Sequence, residues 1–253
     1  MPRNAALIGV QCSLAVNFTM LATARTFLKS ALHLVLPRLC AGCSQPLLDS
    51  EVLLCLECGL ELPSTGFHTD ERNEAASRLA GRFPFGKATA LLHFSEDNLT
   101  QHLVHGLKYK RRAGIGSALG RMLGEELRDC GWAVGIDLVV PVPLHPKKEK
   151  ARGFNQSALI AEGLAEALSI SAVLHGLRRI RSTESQTRKT RAERIANVDG
   201  AFALRQSKKL MGKHVLLVDD VLTTGATIEA CATAVLALPG TQVSVATIAI
   251  AGE

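Results

Sequence analysis

Between His214 and Glu229 the chain reads HVLLVDDVLTTGATIE, and no other stretch limits the possible fold as tightly. Val215, Leu216, Leu217 and Val218 form a short continuous apolar run that ends in two adjacent carboxylates, Asp219 and Asp220. A run of this kind is a strand buried on both faces, as in a parallel sheet. The small residues Thr223, Thr224, Gly225, Ala226 and Thr227 follow, and a helix-forming run resumes after them. In open α/β sheets the carboxyl edge is where ligands bind. Small residues let backbone approach a phosphate closely, and a helix beginning near Gly225 supplies unpaired N–H groups and a positive dipole end. Asp219 and Asp220 repel a phosphate but suit the hydroxyls of a ribose. One site built for both points to a ribose 5-phosphate.

The rest of the chain repeats the strand–helix alternation. Lys87–Phe94, Ile136–Val140, Ala201–Leu204, Val215–Val218 and Val243–Ile250 read as strands. Leu99–Leu107, Ile115–Leu127, Phe154–Leu168 and Thr227–Leu238 read as helices. That order argues an α/β fold with a parallel sheet. With 253 residues, 47% of them hydrophobic, one large domain plus a small module is expected. The net charge of +6 favours polyanionic ligands without naming one.

Four of the seven cysteines fall in Cys40-Ala-Gly-Cys43 and Cys55-Leu-Glu-Cys58. Each C-x-x-C pair forms a knuckle whose thiolates grip one face of a tetrahedral Zn²⁺, and Gly42 and Gly59 sit where such turns need open backbone. Four sulfur ligands leave no position for water, so the zinc is structural. Two disulfides or a redox motif are the rival reading. Cys12, Cys130 and Cys231 have no nearby partner, and Cys130 and Cys231 lie in helical patterns as buried thiols.

A second anion-seeking loop lies in PVPLHPKKEKARGFNQ, residues 141–156. Its prolines forbid helix and stiffen the chain after the strand. Lys147, Lys148, Lys150 and Arg152 then follow, with only Glu149 to offset them, and Arg152, Asn155 and Gln156 carry donors suited to phosphate oxygens. A surface loop with solvated lysines is the plain alternative. Two such loops after two neighbouring strands make a site for a ligand phosphorylated at both ends. From Gly176 to Lys213 eleven lysines and arginines stand against three acidic residues. Within that block Arg178–Arg194 is too polar to pack. It reads as a lid closing over a pyrophosphate, as a basic arm for nucleic acid, or as solvated surface. Lys108, Lys110, Arg111 and Arg112 add a second basic patch, in which Tyr109 either stacks a base or packs into the core.

Residues 1–19 read as a leader or an over-extended start, since Gln11 and Asn17 interrupt the apolar stretch behind Arg3. Residues 20–62 read as a helix plus the zinc module, 63–86 as an irregular linker mobile around His68–Ser77, and 87–253 as the main domain. No run reaches the roughly 18 uninterrupted apolar residues of a membrane span.

Taken together, VLLVDDVLTTGAT resembles the phosphoribosyl-pyrophosphate (PRPP) loop of type I phosphoribosyltransferases. With the paired C-x-x-C motifs, LKYK at 107–110, PVPL at 141–144, RGFNQ at 152–156, TESQ at 183–186 and ERIAN at 193–197, the chain resembles the ComF (ComFC-type) family of bacterial competence proteins. The match runs from about Leu39 to Ala249 in the right order. The resemblance implies a type I phosphoribosyltransferase-like parallel sheet flanked by helices, with a small N-terminal zinc-ribbon module held by Cys40, Cys43, Cys55 and Cys58. It implies that Asp219 and Asp220 bind the ribose hydroxyls of PRPP, directly or through Mg²⁺, and that Thr223, Thr224, Gly225, Ala226 and Thr227 cradle the 5-phosphate. Leu144, His145 and Arg152 would meet the pyrophosphate, and Arg188, Lys189 or Arg191 would close from the lid. It further implies a bacterial cytoplasmic protein, or one at the inner face of the membrane, that handles transforming single-stranded DNA with other uptake proteins. Transfer at the ribose C1 would rest on positioning and electrostatics, and the motif contains no evident general base. A PRPP-dependent transferase of nucleotide metabolism without a DNA role is the alternative.

Overall fold

The computed structural model of the chain describes residues 37–95, 99–107, 114–180 and 201–252. The chain divides into two compact units after Cys55.

In the first unit Leu39 and Pro46 form an antiparallel bridge, and Cys40 N–H donates to Gln45 O at 2.8 Å. Leu39, Leu48 and Val52 are exposed, so the module has little apolar core of its own. Backbone bonds and the cysteine sulfurs hold it, as in other modules too small to be stabilised by burial alone.

The second unit contains, in chain order, α1 (Leu56–Leu60), α2 (Glu74–Leu79), β1 (Ala88–Phe94), α3 (Leu99–Gly106), α4 (Gly114–Asp129) and β2 (Leu138–Pro141). It continues with α5 (Pro146–Arg152), α6 (Gln156–Leu168), β3 (Ser171–Ala172), β4 (Leu177–Arg179) and β5 (Phe202–Leu204). It ends with α7 (Ser207–Leu210), β6 (His214–Leu222), α8 (Ala226–Leu236) and β7 (Gln242–Ala251). Five strands form one parallel sheet in the order β1-β7-β6-β2-β3, and β4 pairs antiparallel with β5 in a separate ribbon. Val215, Leu216, Leu217 and Val218 are all fully buried, as a strand covered on both faces requires.

Helices α2 and α8 and the β4–β5 ribbon contribute to one core with Val215, Leu217, Val243 and Val245. Helices α4 and α6 pack against each other, and both reach the sheet. Their approach depends on glycine: a Cβ on Gly120 would lie 2.1 Å from Ile160 O, and one on Gly163 would lie 2.0 Å from Ser117 O. No side chain fits at either position, so the two backbones meet directly.

Four expectations fail here. Residues 63–86 are not an irregular linker. Asn73 caps α2 by accepting from Ala76 N–H at 3.0 Å, and its Nδ2 donates to Ala88 O of β1 at 2.8 Å. Ala75 and Leu79 are fully buried in the core, and His68 lies 3.3 Å from Glu126 of α4. Residues 146–152 are helical despite their proline, because Pro146 occupies the first helical position, where its missing N–H costs nothing. Cys130 is exposed rather than buried, because it falls just past the end of α4, whereas Cys231 is fully buried as expected. The left-handed residue near the first knuckle is Ser44, at φ 62°, while Gly59 lies inside α1.

Candidate functional site

Strands β2 and β6 are direct neighbours, with Pro141 in register with Val218. Residues 142–144 therefore leave the sheet beside Asp219 and Asp220, and Val142 N–H still donates to Val218 O at 2.8 Å. Asn155 ties the next turn down: its Nδ2 donates to Val142 O at 3.0 Å, and its Oδ1 accepts from Ser157 N–H at 3.2 Å to cap α6. That cap places Gln156 and Ser157 on the two carboxylates. Ser157 Oγ donates to Asp219 Oδ1 at 2.9 Å, and Gln156 Nε2 donates to Asp220 Oδ2 at 3.1 Å. Arg152 donates in turn to Gln156 Oε1. A cavity of about 380 Å³ opens between the two loops, with Leu144, Ser157, Asp219, Asp220, Thr223 and Thr227 in its wall.

The electrostatics of this pocket are unbalanced. Burial pushes the Asp219 carboxyl well above the ordinary carboxylate range, and the Asp220 charge adds to the rise. The Ser157 hydroxyl and the Asp220 N–H oppose it without cancelling it. Arg179, at the end of β4, also lines the cavity, with its guanidinium carbon 5.4 Å from the centre of the Phe202 ring. Burial pulls the Arg179 guanidinium below its usual range, while Cys231 and Asp219 push it back up. Such a pocket gains from a ligand that brings hydroxyl donors or a cation to Asp219 and an anion to the facing loops.

The loop after β6 runs into the start of α8 at Gly225. Gly225 takes φ 78° as the N-cap of α8, and that helix start has no side-chain cap. Its first N–H groups carry the positive end of the helix dipole. Its backbone angle favours glycine, and a Cβ there would press on the Leu79 side chain, with Cδ2 at 2.9 Å.

A separate centre is formed by Cys40, Cys43, Cys55 and Cys58, whose sulfurs all lie within 4.8 Å of one another. Cys43 Sγ and Cys55 Sγ are 3.7 Å apart, far beyond a disulfide bond and close to the roughly 3.8 Å edge of a tetrahedron with ~2.3 Å zinc–sulfur bonds. Burial pushes the Cys40 thiol up, but backbone N–H groups of Cys43, Cys55 and Gly42 outweigh it and hold the thiol at about 6. A thiolate at neutral pH is what a zinc ligand must be. No disulfide joins any of the four, and the donor set fits zinc.

Residues 155–252 match the phosphoribosyl transferase domain family, which spans α6, β6, the loop and β7. The chain is 31% identical over 205 residues to the DNA utilization protein YhgH of Salmonella typhi, covering 77% of this chain and 89% of that protein. It is 31% identical over 193 residues to the Escherichia coli K12 protein of the same name, covering 75% and 80%. Competence protein F of Haemophilus influenzae is 28% identical over 202 residues, covering 78% of this chain and 84% of that protein. The chain belongs to the ComF family.

Within this ComF-family chain the structure brings Leu144, Asp219, Asp220, Thr223 and Thr227 to one cavity. Gly225 and Ala226 form the start of α8, and Thr224 is half-buried beside them. His145 caps α5, accepting from Lys147 N–H at 3.2 Å, and Arg152 acts on Gln156; neither belongs to the cavity wall. Arg188, Lys189 and Arg191 of the expected lid, and the Lys108–Arg112 patch, lie outside the described residues. Sequence reasoning missed Ser157, Arg179, Phe94, Val104 and His105, all of which line the cavity. It also missed Arg78, which donates to Thr223 O of the loop, and Arg82, which donates to Glu229 in the first turn of α8. A Ser at the second position of a capped helix, directly after RGFNQ, was the one available signal for Ser157.

Proposed function

We propose that this ComF-family protein binds PRPP with Mg²⁺ in the cavity at the carboxyl edge of β6 and acts in natural competence, in the uptake or handling of transforming single-stranded DNA. The observation that carries the site reading is the buried Asp219 beside Asp220, held by Ser157 and Gln156 at the mouth of an uncapped helix start. Asp219 and Asp220 would take the ribose hydroxyls directly or through Mg²⁺, and the amides of 223–227 would take the 5-phosphate. Leu144, His145 and Arg152 would meet the pyrophosphate, and Arg188 and Lys189 would close over it. Cys40, Cys43, Cys55 and Cys58 would hold a structural Zn²⁺.

The role in DNA handling is supported by relatives named for DNA utilization and competence, and by the net charge of +6. No described helix is long and apolar enough to cross a membrane, which agrees with action in the bacterial cytoplasm or at the inner face of the membrane. Calorimetry with PRPP, with and without Mg²⁺, tests the ligand: Mg²⁺-dependent binding is expected, and no heat in either condition would overturn the reading. Single-stranded DNA affinity should fall steeply as salt rises, since phosphate contacts release counterions; a flat response would remove the DNA assignment. Pyrophosphate release measured against a panel of bases separates binding from turnover.

A further inference from the structure

We propose that Arg78 and Arg82, carried by α2 and the turn after it, are positioning residues that set the ligand loop after β6 for an anion; this rests on the phosphate-binding reading of that loop. Both side chains are largely buried, at 10% and 13% exposure, yet neither lines the cavity. Arg78 Nη1 donates to Thr223 O at 3.0 Å, to Leu222 O at 3.4 Å and to Ala251 O at 2.5 Å, while its other nitrogen pairs with Glu74. One guanidinium therefore joins the start of the loop to the end of β7.

The consequence is stereochemical. In a trans peptide the carbonyl of one residue and the N–H of the next point in opposite directions. Drawing the carbonyls of Leu222 and Thr223 onto Arg78 turns the N–H groups of Thr223 and Thr224 away from it. Because Arg78 is not part of the cavity wall, that orientation presents donors to a ligand and hides acceptors from it. An anion approaching unfixed carbonyls would meet the wrong end of each dipole.

Arg82 deals with a second obstacle. Glu229 stands in the first turn of α8, where a carboxylate steadies the helix dipole but repels a phosphate bound at the same end. Arg82 Nη1 donates to Glu229 Oε2 at 2.8 Å and neutralises it. Its Nε donates to Arg78 O at 3.0 Å, and the same side chain flanks Gly225 together with Leu79. The clamp therefore couples loop orientation and local charge through one short segment.

The test is a calorimetric titration of the full-length protein with ribose 5-phosphate in Mg²⁺-free buffer, at a temperature well below each variant's melting midpoint. Arg78→Met should weaken binding roughly tenfold, the worth of a charge-assisted hydrogen bond, with Arg78→Lys between it and the parent. Arg82→Gln should weaken binding by about threefold to tenfold through the exposed Glu229 charge, and adding Glu229→Gln should restore it. That rescue is what a merely structural role would not produce. Unchanged affinity in Arg82→Gln, or no recovery in the double variant, would overturn the charge role. Unchanged affinity in a folded Arg78→Met would overturn the orienting role. Failure of the unmutated protein to bind ribose 5-phosphate would instead remove the phosphate reading itself. Should Arg78→Met not fold, Arg78→Lys and the Arg82 cycle decide the outcome.

Discussion

At its amino end β6 begins with His214, whose backbone N–H donates to Asp137 Oδ2 at 2.8 Å and whose ring nitrogen lies 2.9 Å from Ser244 Oγ. Lys213 pairs with Asp137 at 3.2 Å, and Lys87 N–H donates to Ser244 Oγ at 3.0 Å. The His214 N–H and Lys213 bonds hold the Asp137 carboxyl below its usual range. Five residues further on, the same strand carries Asp219, which burial and a neighbouring carboxylate drive the other way. One end of the strand is charge-complementary and closed on itself. The other end holds a carboxyl whose charged form is disfavoured until a proton, a ligand donor or a cation relieves it. If the proposed ligand binds at the carboxyl edge, stability and binding are concentrated at opposite edges of one sheet, and substitutions should separate them.

The largest effect is expected for Asp219→Asn. The amide oxygen still accepts from Ser157 Oγ and Asp220 N–H, but the buried charge and its repulsion from Asp220 are gone. Affinity for PRPP in Mg²⁺ should fall by roughly a hundredfold or more, while unfolding free energy rises by about 1–2 kcal/mol at pH values above the raised Asp219 pKa, where the parent carboxyl is ionised. Calorimetry and denaturant melts check both. A variant that binds normally, or that loses stability together with binding, would break the contrast between the edges.

The same carboxyl sets a pH signature. Folding raises the Asp219 pKa, so its ionisation disfavours the folded state. Stability should be highest where Asp219 is protonated and should decline as pH climbs from the ordinary carboxylate range to the raised folded value. Mg²⁺ favours the ionised form, so its affinity should rise over that window and the decline should flatten. Asp137 has the opposite sign: its contribution is present above its ordinary unfolded pKa and is lost as pH falls through its lowered folded value. Melting midpoints across pH for the parent and for Asp219→Asn check this, because the decline on the alkaline side should disappear in the variant.

Much of the carboxyl edge was legible because its chemistry is contiguous in sequence. The apolar run, the Asp219–Asp220 pair and the small loop lie within one stretch, and the two C-x-x-C pairs announce a four-sulfur cluster by spacing alone. What was hidden depends on long-range placement. Arg78 and Thr223 are separated by 145 positions, and nothing in the polar run around Arg78 shows that its guanidinium faces three carbonyls. The same stretch was read as a linker because α2 has only six residues, too few for its buried Ala75, Ala76 and Leu79 to display a helical period. Pro146 misled for another reason, since a proline that breaks a helix interior suits a helix start. Cys130 misled because its position just past a helix end looks like a continuation of the apolar pattern. At the amino edge Ser244 and His214 are ordinary residues 30 positions apart, and only strand pairing brings them together.

Ser244→Ala probes that edge. The buried hydroxyl is the acceptor for Lys87 N–H and the partner of the His214 ring, so both are left without it. A loss of about 1–2 kcal/mol in unfolding free energy is expected, with PRPP affinity unchanged within about twofold. Equal loss of binding would show that the two edges communicate through β6 and β7.

The smallest effect should come from Lys213→Ala. Its partner Asp137 is half-exposed, at 39%, and Lys213 itself is 48% exposed, so water screens the pair from both sides. Exposed pairs of this kind contribute about 0–1 kcal/mol, and Asp137 keeps its stronger bond from the His214 backbone when the lysine is removed. The variant should lose at most about 0.5 kcal/mol at low ionic strength and nothing measurable in high salt, where the charges are screened within ~3 Å. A loss that persists in high salt would mean that Lys213 acts by packing its stem at the mouth of β6 rather than by charge. The amino edge would then owe its stability to close fit, and charge balance would no longer be what distinguishes it from the ligand edge.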